Sequence, residues 1–140
     1  MKKTILSCLV ISILLFTLPA WGKSYQYISP AETRTKLVQQ QPLTFVDIQV
    51  EKEFNQHHLP GALGTYAYPV KSAADQAKLD AVLPQLKSST APVVIVCPRG
   101  GGGAKRAYDH LQQQGISSER LFILEKGQQG WPYPEQLANK

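Results

Sequence analysis

The chain has 140 residues, of which 43% are hydrophobic and 18% are charged, and its formal net charge is +5. This length fits one compact domain, and the composition is that of a globular protein rather than a disordered one. The basic residues are scattered with no basic block, so the charge predicts no nucleic-acid partner, although it suits a small anionic substrate.

The first 22 residues have the three-part pattern of a secretory signal peptide. A basic start precedes an apolar run over residues 5–18, and Ala20-Trp21-Gly22 places small residues before a cleavage point. The run is shorter than the roughly 20 residues of a membrane span, which favours cleavage over an uncleaved anchor. Cleavage would remove two lysines and no acids, so the charge would fall from +5 to +3. We expect the mature chain, residues 23–140, to be one exported domain, soluble in the periplasm and without membrane contact.

The cysteine content changes with that cleavage. Cys8 would leave with the signal peptide, so the mature chain would hold only Cys97 and could form no internal disulfide. Exported compartments usually favour disulfides. A lone thiol there is either buried and inert or present for its reactivity, and its sequence neighbours decide between these two interpretations.

The remaining sequence alternates helical and strand patterns. In chain order, we predict a helix from Ser29-Pro30 to about Gln40, a strand over residues 43–48, one or two helical turns over 51–56, and a short strand within 62–68. A helix capped by Ser72 and bent or ended by Pro84 follows, then a strand over 93–96, a helix over about 104–114 and a strand over 121–124. This order predicts an α/β domain with a central, mainly parallel sheet flanked by helices.

The segment after the strand at residues 93–96 carries the candidate chemistry, because ligands of parallel sheets bind beyond the carboxyl ends of the strands. It reads Cys97, Pro98, Arg99, Gly100, Gly101, Gly102 and Gly103, and a helix follows. Such a glycine loop can turn several backbone N–H groups towards one point, and the helix start adds further N–H groups and the positive end of its dipole. A thiol in this field should ionise readily and could hold a persulfide.

A flexible linker beside an inert cysteine would have the same composition. Four glycines between a buried strand and a helix are poorly placed for a linker, so we favour the reactive loop. Arg99, Lys105 and Arg106 are near enough in sequence to add positive potential. His57 and His58 have no cysteine or carboxylate cluster around them and are interpreted as structural.

The strand, cysteine, glycine loop and helix resemble the active-site arrangement of the rhodanese family. Two further stretches are similar to the family's signatures: Phe45-Val46-Asp47-Ile48 … Glu53-Phe54 … His58-Leu59-Pro60-Gly61-Ala62, and Leu124-Glu125-Lys126-Gly127 … Gly130-Trp131. The resemblance runs from about Ser29 to Trp131. With the export signal, it points to the small, single-domain periplasmic members.

The resemblance implies a thiosulfate sulfurtransferase that uses no cofactor and no metal. Cys97 would take the outer sulfur of thiosulfate, or of a similar anionic donor, as a persulfide. A thiol, cyanide or a protein acceptor would then receive the sulfur, in two half-reactions. Residues Pro98 to Gly103 would bind the donor, and Arg99 would hold its sulfonate end.

Two departures from the family's pattern leave alternatives open. Gln49 stands where members usually have arginine, so a salt bridge to Glu53 should be missing. Gly102 and Gly103 offer no side chain where the family's loop often supplies one, so a non-catalytic sulfur carrier or thiol-sensing module is the main alternative. A phosphatase or arsenate reductase would need arginine six residues after the cysteine, and that position is Gly103.

Overall fold

The structure is a computed structural model that describes residues 22–138. The predicted signal peptide, apart from Gly22, lies outside the described residues, and so does Cys8. Within residues 22–138, no helix is both long enough and apolar enough to cross a bilayer.

Strands and helices alternate along residues 27–124. The strands are β1 (Tyr27–Ile28), β2 (Thr44–Asp47), β3 (Leu63–Gly64), β4 (Val93–Val96) and β5 (Leu121–Leu124). The helices are α1 (Pro30–Val38), α2 (Glu51–Gln56), α3 (Ala73–Asp80), α4 (Leu83–Lys87) and α5 (Gly102–Gln113). Short 3-10 helices cover Ser118–Arg120, Gln128–Gly130 and Pro134–Gln136.

The strands form one parallel sheet in the order β1-β5-β4-β2-β3. Every residue of the central strand β4 is buried. Val93 and Ile95 belong to the apolar cluster on one face of the sheet, and Val94 and Val96 belong to the cluster on the other. This two-sided burial explains the unbroken β-branched run of β4. The predicted α/β class with a mainly parallel sheet is confirmed.

The sheet register brings Asp47 and Cys97 together at the carboxyl ends of two neighbouring strands. Asp47, the last residue of β2, pairs with Val96, the last residue of β4. The chain therefore leaves both strands side by side, and Cys97 is the first residue beyond the carboxyl end of β4.

The elements differ from the predicted ones in two places. β1 was not predicted, because it is only two residues long and shows no period; it pairs with β5 through Tyr27 and Ile123. The helix that Pro84 was predicted to bend or end already stops at Asp80, and Pro84 lies in the first turn of a separate helix, α4. Proline has no backbone N–H group, and the first turn of a helix does not need one. Pro84 therefore fits the start of α4 rather than the end of α3.

Candidate active site

The backbone after β4 curls around the Cys97 side chain. The N–H of Gly100 donates a hydrogen bond to Sγ, with the nitrogen 2.9 Å from the sulfur. Gly100 has a φ of +73°, which turns the chain back on itself. Helix α5 begins at Gly102 without a side-chain cap, so the N–H groups of its first turn and the positive end of its dipole favour negative charge at this loop.

A small cavity of about 150 Å³ adjoins Cys97. Of the predicted loop residues, Cys97, Arg99, Gly101, Gly102 and Gly103 line it. Pro98 and Gly100 support the loop from outside the cavity lining: Pro98 is buried, and Gly100 binds the sulfur. A cavity of this size has room for several water molecules.

The structure separates the three cations that the sequence placed near the loop. Arg99 is exposed and lines the cavity. Lys105 instead places its Nζ 5.4 Å from the centre of the Tyr25 ring. Arg106 donates from Nε and Nη2 to the Pro69 carbonyl, at 2.9 and 2.8 Å. Of the three, Arg99 alone lines the cavity. The Nη1 atom of Arg106, which does not bind Pro69, lies 3.0 Å from the position that a Cβ atom on Gly102 would take.

Tyr68 also lines the cavity, and the sequence did not identify it as a site residue. A Cβ atom on Gly103 would lie 2.9 Å from Cε2 of the Tyr68 ring, so the ring fills the space of a loop side chain. The N–H of Tyr68 donates to the Ile48 carbonyl at 2.8 Å, which holds this segment at the end of β2. No sequence pattern identifies Tyr68 as a site residue, because it lies in an irregular segment that is distant from the cysteine loop in sequence.

The segment after β5 clamps the cysteine loop from behind. The Gln128 N–H donates to the Cys97 carbonyl at 2.8 Å, and the Gln129 N–H donates to the Pro98 carbonyl at 3.0 Å. Gly127 has a φ of +60°, and a Cβ atom there would lie 2.1 Å from the Cys97 oxygen. Only glycine fits at this contact, which gives the closing segment of the sequence its structural role.

A model of the rhodanese-like domain family matches residues 29–132. The chain belongs to that family. This match confirms the resemblance drawn from the cysteine loop and its two flanking signatures. No curated protein sequence matches the chain.

Solved structures with the same fold include three of different description. A rhodanese-like domain protein from Staphylococcus aureus is 25% identical, with a TM-score of 0.57 over 82% of this chain and 98% of that one. A Saccharomyces cerevisiae homologue of single-domain rhodanese and the Cdc25 phosphatase catalytic domain is 17% identical, with a TM-score of 0.64 over 81% and 86%. An As-Sb reductase from Leishmania major is 15% identical, with a TM-score of 0.60 over 81% and 85%. The shared fold therefore accompanies several activities.

The rhodanese-like domain also buries a carboxylate beside the cysteine loop. Asp47 is 0% exposed; its Oδ1 accepts from the Gln49 N–H at 2.9 Å, and its Oδ2 accepts from Gln49 Nε2 at 3.0 Å. Burial raises the pKa of the Asp47 carboxyl from 3.8 to about 6, and the two bonds from Gln49 counteract only part of that shift. Gln49 thus satisfies the carboxylate through hydrogen bonds and supplies no positive charge.

His58 has a structural position in this rhodanese-like domain. Its Nδ1 lies 2.8 Å from the Phe54 carbonyl, and its ring stacks on the Phe54 ring with the two centres 4.0 Å apart. Across residues 22–138, no group of three His, Cys, Asp or Glu side chains is arranged to hold a metal ion.

Proposed function

We propose that this rhodanese-like protein is a thiosulfate sulfurtransferase that carries the transferred sulfur as a persulfide on Cys97. The observation that carries the proposal is the backbone N–H of Gly100 bonded to Cys97 Sγ beside a small cavity lined by glycines and Arg99. Backbone N–H donors and a helix start stabilise negative charge on sulfur, which a persulfide held at this place would carry.

The first half-reaction forms one sulfur–sulfur bond and breaks another. The Cys97 thiolate attacks the outer sulfur of thiosulfate, and sulfite leaves with the electron pair of the broken bond. Arg99 would pair with the sulfonate oxygens of the donor during this step. In the second half-reaction, cyanide or a thiolate attacks the outer sulfur of the persulfide, and the Cys97 thiolate is regenerated.

The cavity supports a sulfur donor better than a phosphate ester. A phosphatase loop would place an arginine six residues after the cysteine, at Gly103, where the Tyr68 ring already occupies the position of a side chain. Arg106, in α5, binds the Pro69 carbonyl through Nε and Nη2 and does not line the cavity. The cavity therefore offers backbone N–H groups and one exposed arginine, which suits a small anion with a reactive sulfur.

Steady-state formation of thiocyanate from thiosulfate and cyanide tests this proposal. We expect many turnovers per protein molecule, ping-pong kinetics, and loss of activity in Cys97→Ser, which keeps the size of the side chain but lacks the sulfur nucleophile. A single equivalent of thiocyanate without further turnover would favour the sulfur carrier over the enzyme. Persistent thiocyanate formation by Cys97→Ser would overturn both.

Export to the periplasm is part of the same proposal, and the residue pattern of the first 22 positions supports it. Amino-terminal sequencing of the protein from a periplasmic fraction should begin at Lys23. Recovery of the full chain, beginning at Met1, from the cytoplasm would contradict it.

A further inference from the structure

A second, larger cavity of about 390 Å³ shares no lining residue with the Cys97 cavity. Gln49, which follows β2, and Glu53 and His57, which lie in α2 and directly after it, line it. Gln128 and Trp131, from the segment that clamps the cysteine loop, also line it. The mechanism of sulfur transfer uses none of these five side chains.

Two side-chain oxygens on this cavity accept no hydrogen bond from the described residues, and one of them, on Gln128, is itself buried. Gln49 is 3% exposed, and its Nε2 donates to Asp47 Oδ2 at 3.0 Å and to the His57 carbonyl at 3.1 Å. These two bonds fix the amide orientation, and Gln49 Oε1 accepts no hydrogen bond from the described residues. Gln128 is 7% exposed, and its buried Oε1 has no partner within residues 22–138. A buried acceptor without a donor is costly, and the Gln49 oxygen is free to accept, so the cavity fits a ligand that brings N–H groups.

The charge on this cavity is negative. Glu53 is half-buried and forms neither an ion pair nor a hydrogen bond through its carboxylate with any residue of the described chain. No lysine or arginine lines the cavity, and the nearest buried acid, Asp47, adds to the negative field. A ligand with a positive charge would give the Glu53 carboxylate an ion-pair partner. The Trp131 indole also lines the cavity, and a cation can bind against such a ring.

We propose that this cavity binds a guanidinium group, carried by a small molecule or by an arginine side chain of a partner protein. A guanidinium has five N–H donors in a planar fork and no acceptor. It can pair with the Glu53 carboxylate and donate to the free oxygens of Gln49 and, after rotation of its amide, of Gln128. Because the Gln128 N–H holds the Cys97 carbonyl at 2.8 Å, an occupant also contacts the residue that anchors the cysteine loop.

Titration of the mature protein with butylguanidinium at pH 7.5 tests the proposal. Trp131 is the one tryptophan in residues 23–140, so its fluorescence reports on the cavity. We expect saturable binding, and at least tenfold weaker binding of butylurea, which has nearly the same shape without the charge. Glu53→Gln should weaken butylguanidinium binding at least tenfold. Glu51→Gln, on the same helix but outside the cavity lining, should leave it unchanged.

A blocked Gly-Arg-Gly peptide distinguishes the two sources of the group. Tighter binding of the peptide than of butylguanidinium supports an arginine of a partner protein, and weaker binding supports a small molecule. Equal affinity for butylurea and butylguanidinium, equal effects of the two glutamate substitutions, or no saturable binding would overturn the proposal. The same titration in Cys97→Ser keeps the outcome independent of sulfur transfer.

Discussion

Replacing Asp47 with asparagine should change how the stability of the domain depends on pH. The side chain is fully buried, and burial raises the pKa of its carboxyl from 3.8 to about 6. Asparagine is nearly isosteric, keeps an oxygen that can accept from the Gln49 N–H, and carries no charge. At 1.36 kcal/mol for each pKa unit, the shift corresponds to at most about 3 kcal/mol of unfolding free energy.

The sign follows from where the proton is held more tightly. Between pH 3.8 and about 6, the native carboxyl keeps a proton that the unfolded chain has already released. The contribution of Asp47 to the free energy of unfolding therefore falls as pH rises through that window, and it stays low above pH 6.

Urea denaturation of both proteins at a series of pH values measures this effect, since other titrating groups cancel in the comparison. Relative to the parent chain, Asp47→Asn should gain up to about 3 kcal/mol between pH 4 and pH 7.5. Gln49→Arg, which brings a cation to the carboxylate, should lower the pKa of Asp47 and stabilise the domain at pH 7.5. A stability difference between Asp47→Asn and the parent that does not change with pH would refute the reasoning.

Three further substitutions test the loop and its supports. Gly127→Ala should abolish sulfur transfer and lower the free energy of unfolding by at least about 2 kcal/mol. Gly115 also has a positive φ but has open space for a Cβ atom, so Gly115→Ala should keep activity. Equal losses for the two variants in urea unfolding and in thiocyanate assays would contradict the role of Gly127 in holding the loop. Arg106→Lys removes the two N–H groups that donate to the Pro69 carbonyl. It should lower the free energy of unfolding by about 1 to 2 kcal/mol. An unchanged urea midpoint would show that these hydrogen bonds do not stabilise the domain. Arg99→Gln should raise KM for thiosulfate about tenfold, while Lys105→Gln, with the same change of charge, should not; matching KM values for the two would argue against a role for Arg99.

Most of the fold could be predicted because its central elements have strong local signals. The apolar runs of β4 and β5 are only four residues long and rich in strand-forming residues, which favours strands over helices. β1 could not be predicted, since two residues carry no period and their pairing depends on a strand almost a hundred positions away. The break between α3 and α4 was misinterpreted because proline suits a helix start as well as a helix end.

The candidate site was predictable only where it is contiguous in sequence. The cysteine loop is recognisable in the sequence because four glycines lie between a strand and a helix. In the structure, most residues of that loop line one cavity. Tyr68 belongs to a segment without a pattern, so its contact with Gly103 depends on tertiary packing. The direction of the Arg106 side chain likewise could not be predicted from the sequence, because its guanidinium donates to the carbonyl of Pro69, which lies on another segment.

The intact mass of the mature protein before and after exposure to thiosulfate tests the sulfur-carrying role of Cys97 most directly. We expect a gain of one sulfur atom per chain that cyanide removes and that Cys97→Ala does not acquire. An unchanged mass in the parent protein, or the same gain in Cys97→Ala, would contradict the account.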